Sequence, residues 1–383
     1  MLRVVASVRS MASDEIIPFR VEVPEAVLDD LRDRLGRTRW PDQIPGTAWD
    51  YGTDLAYLQD LCEYWRTSFD WRAQEARFNR WPHFLTTIDG QQIHFIHARS
   101  DNDDALPLLI THGWPGSVAE FLDVIEPLRE QFDVIAPSVP GYGWSGPTSD
   151  PGWDVQRVAE AWKVLMARLG YERYGVQGGD WGAIISARLA AIDGEHIVGH
   201  HSNMLLAFPD DASGIALDEI EMADLAGVAE FMARGTAYQE IQGKNPQTLG
   251  YALTDSPAGL AGWIVEKFRA WTDNDGSPED AVSRDQICTN LTVYWVTNTI
   301  NSSVRLYCES QRSGNFGPIG GFVDVPTAAA VFPKEIFRIP RPYAESRFNI
   351  VRYTRFDRGG HFAALEEPDL FVQDVKEFFA GLA

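Results

Sequence analysis

The segment 178–182, Gly-Gly-Asp-Trp-Gly, places an aspartate at the centre of a glycine-rich pentapeptide. YGVQ before it predicts a strand, and AIISARL after it predicts a helix. A sharp strand-to-helix turn needs small residues two positions either side of its central residue, whose side chain it lifts above the sheet. A carboxylate there needs no activating base and can attack an electrophilic sp3 carbon to form an ester. Asp180 is therefore a candidate nucleophile; the alternative is a helix-capping aspartate.

A second Gly/Pro segment, HGWPGS at residues 112–117, directly follows the apolar run LPLLIT. A hydrolase of the α/β type places half of its oxyanion hole at this position. The backbone N–H groups of Trp114 and Trp181 would then converge on a carbonyl oxygen that becomes negative. An ordinary strand-to-helix turn, which also uses Gly and Pro, is the alternative.

A histidine near the C-terminus is the candidate base. His361 lies in FDRGGHF, after the last predicted strand and before the last predicted helix, which is the third position of a nucleophile–acid–histidine chain order. Its imidazole would activate water to attack the ester. Four other histidines lie in a predicted hairpin or at a strand end, where packing or solvent contact explains them: His94, His97, His200 and His201.

The acid that orients this histidine is left open by the spacing. Glu335 follows the predicted strand VPTAAAVF, and three further carboxylates lie on nearby segments: Asp324, Glu345 and Asp357. The acid need only accept the second ring N–H of the histidine and stabilise the imidazolium, so any well-placed carboxylate would serve.

The pattern of apolar and polar residues changes at residue 106. Amphipathic helices are predicted at 25–35 and 55–65, and an Asp89-Gly90 turn joins two alternating runs into a hairpin over 83–98. From Leu106 onward, short apolar runs alternate with helical patterns, which predicts a mainly parallel sheet. The strands of this half end with IVGHHSN and resume at VPTAAAVF and FNIVRYTRF, and a last helix is predicted at about 368–380.

The predicted fold is an α/β sheet with a helical insertion after its sixth strand. The divisions are a leader at 1–15, an N-terminal module at 16–105, a core at 106–204 and 321–383, and a helical cap at 205–320. Met11 is a second possible start of translation.

Composition excludes several function classes. The 383 residues carry 33 Lys and Arg against 55 Asp and Glu, a net charge of −22 that disfavours nucleic acids and anionic membranes as partners. No run reaches the ~18 apolar residues of a membrane-spanning helix. The three scattered cysteines indicate reduced thiols in the cytoplasm, with neither a disulfide framework nor a metal site.

Taken together, these motifs resemble the microsomal-type epoxide hydrolases of the α/β-hydrolase superfamily. The resemblance rests on FRVEVPEAVLDDLRDRLGRTRWPD, LTTIDGQQIHFIH, HGWPGS, GGDWG, DSPAGLAGWIVEKFRAWTD, VPTAAAVFPKEI and RGGHFAALEEPDL. It implies an α/β-hydrolase core with a helical cap and an N-terminal meander. It also implies Asp180 as nucleophile, His361 as base and Glu335 as the orienting acid. Without the membrane anchor of mammalian members, the chain resembles a soluble bacterial member that serves detoxification or a natural-product pathway.

The resemblance further implies a ring-opening pair of cap tyrosines, Tyr238 and Tyr307. An alkoxide leaving an epoxide needs a proton or strong hydrogen bonds, which a phenol supplies. By residue type alone, a tyrosine in a helical cap is more often a core residue, and Tyr142, Tyr251 and Tyr294 compete for the role.

The predicted activity is cofactor-free hydrolysis of an epoxide, bulky or aryl-substituted, to a vicinal diol through an Asp180 ester. A small-molecule epoxide and water are the expected partners, no metal or cofactor is expected, and a homo-oligomer is possible. A haloalkane dehalogenase, with Trp181 as a halide donor, is the nearest alternative. A non-catalytic ligand-binding protein on the same fold is a more remote one.

Overall fold

A computed structural model describes residues 14–382. Most of the expected leader, including Met11, lies outside the described residues. Nine strands of the described chain form one sheet in the order β1-β2-β3-β5-β4-β6-β7-β8-β9. Their bounds are β1 Ile17–Phe19, β2 His83–Ile88, β3 Gln91–Ala98, β4 Leu106–Thr111, β5 Phe132–Pro137, β6 Tyr174–Gly178, β7 Ile197–Ser202, β8 Val323–Val331 and β9 Phe348–Arg355.

The sheet is antiparallel at one end and parallel through the rest. β1, β2 and β3 pair antiparallel, as do β3 and β5. The remaining pairs, from β5-β4 to β8-β9, are parallel. The predicted mainly parallel α/β fold is confirmed. Because the carboxyl ends of parallel strands lie along one edge, the loops that follow β4, β6 and β8 meet there.

Fifteen α-helices lie within residues 14–382. They are α1 Glu25–Gly36, α2 Leu55–Thr67, α3 Trp71–Phe78, α4 Ile125–Leu128, α5 Val155–Arg168, α6 Trp181–Ile192, α7 Glu219–Arg234, α8 Ala237–Lys244, α9 Pro246–Asp255, α10 Pro257–Trp271, α11 Arg284–Thr297, α12 Ile300–Ser313, α13 Arg341–Glu345, α14 Ala363–Glu366 and α15 Pro368–Ala380.

Burial explains why the sequence forms these central elements. Every residue of β6 is buried, and β4 is buried from its second residue onward, as expected for strands covered on both faces. The Asp154 side chain caps the N-terminus of α5. The apolar face of this helix, which includes Val158, Trp162 and Leu165, packs against the core.

Three expectations about the elements are corrected by the structure. The insertion follows the seventh strand rather than the sixth, because the three-residue β1 at the sheet edge is too short to show alternation. The helix expected near 118–130 is split into a 3-10 helix, Val118–Phe121, and α4. α3 was not predicted, because its sequence, WRAQEARF, buries only three residues and has a weak apolar stripe.

The inserted helices α7 to α12 lie between β7 and β8 and contact the N-terminal helices. The Trp65 indole N–H in α2 donates to the Thr292 hydroxyl in α11 at 2.8 Å. The Thr53 hydroxyl, just before α2, donates to the Gly262 carbonyl in α10 at 2.6 Å. These contacts are those expected of an N-terminal module that braces a cap; the exact division of the chain into modules stays a prediction. In residues 14–382, no helix combines the length and apolar character needed to cross a bilayer.

Candidate active site

Asp180 occupies a strained turn between β6 and α6. Its backbone angles, φ 51° and ψ −128°, lie outside the regions that a residue with a side chain prefers. A Cβ atom at Gly178 would collide with the Gly182 carbonyl, and one at Gly182 would collide with the Thr111 carbonyl. The two flanking glycines are therefore required by close backbone contact, and the turn raises the Asp180 carboxylate above the end of the sheet.

One of the two proposed oxyanion donors contacts this carboxylate directly. The Trp114 backbone N–H, in the loop after β4, donates to Asp180 Oδ1 at 2.7 Å. The Trp181 backbone N–H opens α6, but within residues 14–382 it forms no hydrogen bond to the carboxylate. The loop after β4 therefore holds one oxygen of Asp180, and the second donor stays a prediction.

His361 lies between two carboxylates. Its Nε2 is 3.3 Å from Asp180 Oδ2, and its Nδ1 is 2.9 Å from Glu335 Oε1. Since an ionised carboxylate can only accept, Nδ1 carries the proton toward Glu335. Burial lowers the pKa of His361, but the nearby charges of Glu335 and Asp180 outweigh burial and raise that pKa well above its ordinary value.

The Glu335 carboxylate is held by the backbone N–H groups of the two residues that follow it. It is 1% exposed, and its Oε1 accepts the backbone N–H groups of Ile336 at 2.6 Å and Phe337 at 3.3 Å. The three rival carboxylates point elsewhere: Asp324 is exposed, Glu345 pairs with Arg341, and the Asp357 side chain is 90% exposed. Of the four carboxylates left open by the sequence, Glu335 contacts the histidine.

The other candidate histidines have partners remote from Asp180. His94 contacts His83 and Ser138, His97 contacts the Tyr171 hydroxyl, His200 contacts the Ser186 hydroxyl, and His201 contacts Asp374. These contacts explain all four as packed structural residues.

Both cap tyrosines lie against the two tryptophans of the core motifs. Tyr238, in α8, stacks on Trp114 with ring centroids 5.3 Å apart, and Tyr307, in α12, meets Trp181 edge-on at 4.6 Å. The two phenol rings are 5.9 Å apart. Burial and the negative charge of Asp180 raise the pKa of Tyr238, and burial with the neighbouring Tyr238 and Asp180 raises that of Tyr307, so both phenols keep their protons at neutral pH.

The competing tyrosines are placed differently. Tyr251 is 72% exposed on α9. The Tyr294 hydroxyl donates to the Gly116 carbonyl at 2.7 Å, which fastens α11 to the loop after β4. The Tyr142 ring packs edge-on against His112 at 5.3 Å and has no ring contact with either tryptophan.

Sequence reasoning did not single out Glu120, which lines the same cavity as Asp180. A cavity of about 20 Å³, enough for one water molecule, is lined by Asp180, His361, Glu120, Gln177 and Asn203 among others. Burial and the Asp180 charge raise the pKa of Glu120 to about 8, although the His361 charge opposes them. Only its position, four residues after Gly116, could have indicated it.

Trp271 at the end of α10 was also missed, although it joins the cap to the histidine loop. Its ring lies 5.0 Å from the His361 ring, and its carbonyl accepts the His361 backbone N–H at 2.9 Å. Close by, the Glu366 carboxyl accepts the backbone N–H groups of Asp273 at 2.8 Å and Phe362 at 2.9 Å. The segment DSPAGLAGWIVEKFRAWTD contains Trp271, but nothing in its spacing indicates the contact.

Comparison with known proteins supplies the family. Residues 16–121 match the model described as epoxide hydrolase N terminus, and residues 107–281 match that of the alpha/beta hydrolase fold. The chain is 46% identical to a Stigmatella aurantiaca protein named as a candidate epoxide hydrolase, over 96% of this chain and 85% of that one. It is 36% identical to epoxide hydrolase 1 of Sus scrofa, over 97% and 90%. The crystal structure of juvenile hormone epoxide hydrolase from the silkworm Bombyx mori superimposes with a TM-score of 0.89 at 32% identity, over 96% and 95%.

Proposed function

Since the chain belongs to the epoxide hydrolase family and hydrolyses an epoxide to a vicinal diol, we propose that it does so through a covalent ester on Asp180. The observation that supports this proposal is the arrangement of the Asp180 carboxylate: the Trp114 backbone N–H donates to Oδ1, and Oδ2 faces His361 Nε2. One oxygen is thereby held as the future carbonyl, and the other is directed toward the reacting groups.

In the first step, Asp180 Oδ2 attacks a ring carbon and the bond from that carbon to the ring oxygen breaks. The leaving oxygen gains a proton or a hydrogen bond from Tyr238 and Tyr307, whose rings meet edge to face with centroids 5.9 Å apart. Both phenols remain protonated at neutral pH, which suits donors to an alkoxide.

In the second step, water attacks the ester carbonyl and gives a proton to His361 Nε2. The charge developing on Oδ1 is stabilised by the Trp114 N–H, with the Trp181 N–H as the proposed second donor. The tetrahedral intermediate then collapses: the bond from its carbon to the former Oδ2 breaks, and the imidazolium returns its proton to that oxygen as the diol leaves. The second water proton restores the phenol, and the attacking water oxygen stays in the Asp180 carboxylate.

Ester formation itself prepares the histidine for this step. In the free enzyme the charges of Glu335 and Asp180 both raise the pKa of His361. Alkylation removes the Asp180 charge, so the pKa of His361 falls and the neutral imidazole needed to accept the water proton becomes available. Glu335 stays in place to stabilise the imidazolium that results.

For the substrate class, we propose a bulky or aryl-substituted epoxide. Aromatic rings surround the reacting groups: Trp114, Trp181, Tyr238, Trp271, Tyr307 and Phe316 are joined by ring contacts. Such rings favour apolar, flat substituents. We also propose a location in the cytoplasm and assembly into a homo-oligomer.

An ¹⁸O experiment tests the ester. A single turnover of styrene oxide in ¹⁸O-water, with enzyme in excess, should give unlabelled diol and a labelled peptide that contains Asp180. Multiple turnovers should then give labelled diol, because water oxygen has refilled the carboxylate. Direct attack by an activated water molecule predicts labelled diol in the first turnover and an unlabelled peptide, and that result would overturn the proposal.

A further inference from the structure

Lys267 in α10 is a buried cation that the mechanism above does not use. The residue is 5% exposed, which is rare for lysine because removing an ammonium group from water is costly. Its one ion-pair partner among the described residues is the neighbouring Glu266, whose side chain is 35% exposed. The ammonium group is therefore drawn inward while its counter-ion stays close to solvent.

The buried ammonium lies on the aromatic rings of the site. Lys267 Nζ is 4.3 Å from the ring centroid of Tyr238 and 5.7 Å from that of Trp271. Both distances are within the range in which a cation is attracted by the negative face of a ring. Lys267 and Trp271 are four residues apart in α10, so one helix face presents the ammonium to Tyr238 and the indole to His361.

We propose that Lys267 is a positioning residue that makes Tyr238 the proton donor in ring opening. This inference rests on the proposed function of Tyr238. As the phenol proton moves to the alkoxide, negative charge appears on the phenol oxygen and spreads into the ring. An ammonium over that ring stabilises the charge, and a desolvated site makes the attraction stronger.

Under this proposal the two cap tyrosines have different roles in ring opening. Burial and the Asp180 charge both oppose ionisation of Tyr238. The Lys267 ammonium, 4.3 Å from the centroid of its ring, would offset part of this effect. Tyr307 packs against Trp181, and among residues 14–382 no lysine or arginine lies over its ring. Tyr238 should therefore transfer the proton, while Tyr307 supplies a hydrogen bond to the same oxygen.

The test is the rate of ester formation in single turnovers with styrene oxide, measured by rapid quench and intact-protein mass. Lys267→Met should slow ester formation by about 10- to 30-fold, because a desolvated cation–π contact is lost. Decay of the ester should keep its wild-type rate, since water attack does not involve Tyr238. Lys267→Arg, which keeps the cation, should recover most of the loss.

Glu266→Gln is the matched control. It breaks the same ion pair but leaves the cation, and it removes a negative charge that raises the pKa of Tyr238. Ester formation in this variant should equal or exceed the wild-type rate. A loss as large as that of Lys267→Met would mean that the ion pair is a structural contact, and the proposal would be wrong.

A double-variant cycle with each tyrosine decides whether Lys267 acts through Tyr238. In a Tyr238→Phe background, Lys267→Met should cost less than about 2-fold, whereas in a Tyr307→Phe background its full cost should remain. An equal cost in both backgrounds would overturn the proposal. If Lys267→Met does not fold, as judged by circular dichroism, Lys267→Gln enters the same cycle. If the wild-type enzyme forms no Asp180 ester, the two-step mechanism itself fails, which is a distinguishable outcome.

Discussion

The core side and the cap side of the active site are held together by different physics. On the core side, Asp180, His361 and Glu335 are joined by directed polar contacts of 2.6 to 3.3 Å that end on backbone N–H groups. On the cap side, Tyr238 and Tyr307 are held by ring packing at 4.6 to 5.9 Å.

This difference in contacts matches what the proposed mechanism requires of each side. Bond formation and water activation need atoms aligned within a hydrogen-bond length, which strand ends and tight turns provide. The leaving oxygen moves as the ring opens, and packed rings leave a phenol hydroxyl free to follow it. The Tyr238 hydroxyl accepts a hydrogen bond from the Gln239 side-chain amide at 3.0 Å.

The strongest test of this comparison is His361→Gln. The variant should still form the ester but lose multiple-turnover activity by at least about 10⁴-fold, because carboxylate attack needs no base and ester hydrolysis does. Intact-protein mass spectrometry should show a persistent adduct one substrate heavier. His196→Gln, at a half-exposed position, is the control and should turn over normally. An unmodified mass with epoxide still present would contradict a core side that acts in two steps.

A cap-side change should affect the opposite step. The combined Tyr238→Phe and Tyr307→Phe variant should form ester about 10²–10⁴-fold more slowly, and each single change should cost less, since one phenol partly replaces the other. Rapid-quench rates should show normal decay of whatever ester forms. Tyr251→Phe, on the surface of α9, is the control. Wild-type ester formation in the double variant would remove these tyrosines from the mechanism.

The smallest expected effect concerns burial and charge crowding at Glu120, on the core side. The pKa of Glu120 is about 8 in the folded chain against an ordinary value of 4.5. Between these pH values the folded state keeps a proton that the unfolded chain releases, so stability falls as pH rises through this window. Glu120→Gln should therefore melt at a higher temperature than wild type at pH 9, with little difference at pH 5.

Differential scanning fluorimetry across this pH range checks the prediction. Glu172→Gln, at an exposed turn, should show no difference from wild type that grows with pH. A Glu120→Gln advantage that is equal at pH 5 and pH 9 would show that charge crowding is not its cause.

Much of the fold could be predicted because its signals are local. Turn residues and the spacing of apolar residues predict the hairpin at Asp89-Gly90, the buried strands β4 to β6 and the helices α1, α2 and α5. Errors occurred where the local signal is short or mixed. A three-residue β1 is too short to show an alternating pattern. The 118–130 stretch forms two short helices, one that begins after Ser117 and one that begins after Val124.

The residues proposed to carry the chemistry were also visible in the sequence, because strained turns admit few residue types. Gly178 and Gly182 must be glycine for the Asp180 turn to close, so the motif itself marks the position of the proposed nucleophile. Contacts between distant segments leave no such mark. That Glu335 and not Asp324 faces His361, and that Trp114 stacks on Tyr238, depends on which side chains packing brings together.

The sequence by itself thus determined the glycine-flanked turn at Asp180, the histidine loop and the alternation of strands and helices, since backbone geometry restricts residue type over a few positions. Spacing left four carboxylates open and the family resemblance favoured Glu335; the tertiary structure shows that Glu335 contacts His361. Only the tertiary structure revealed that Glu120 adjoins Asp180 and that the Lys267 ammonium lies over the Tyr238 ring. The physical reason is that burial and Coulomb interaction depend on distance in space, and residues separated by many positions can be neighbours only after the chain has folded.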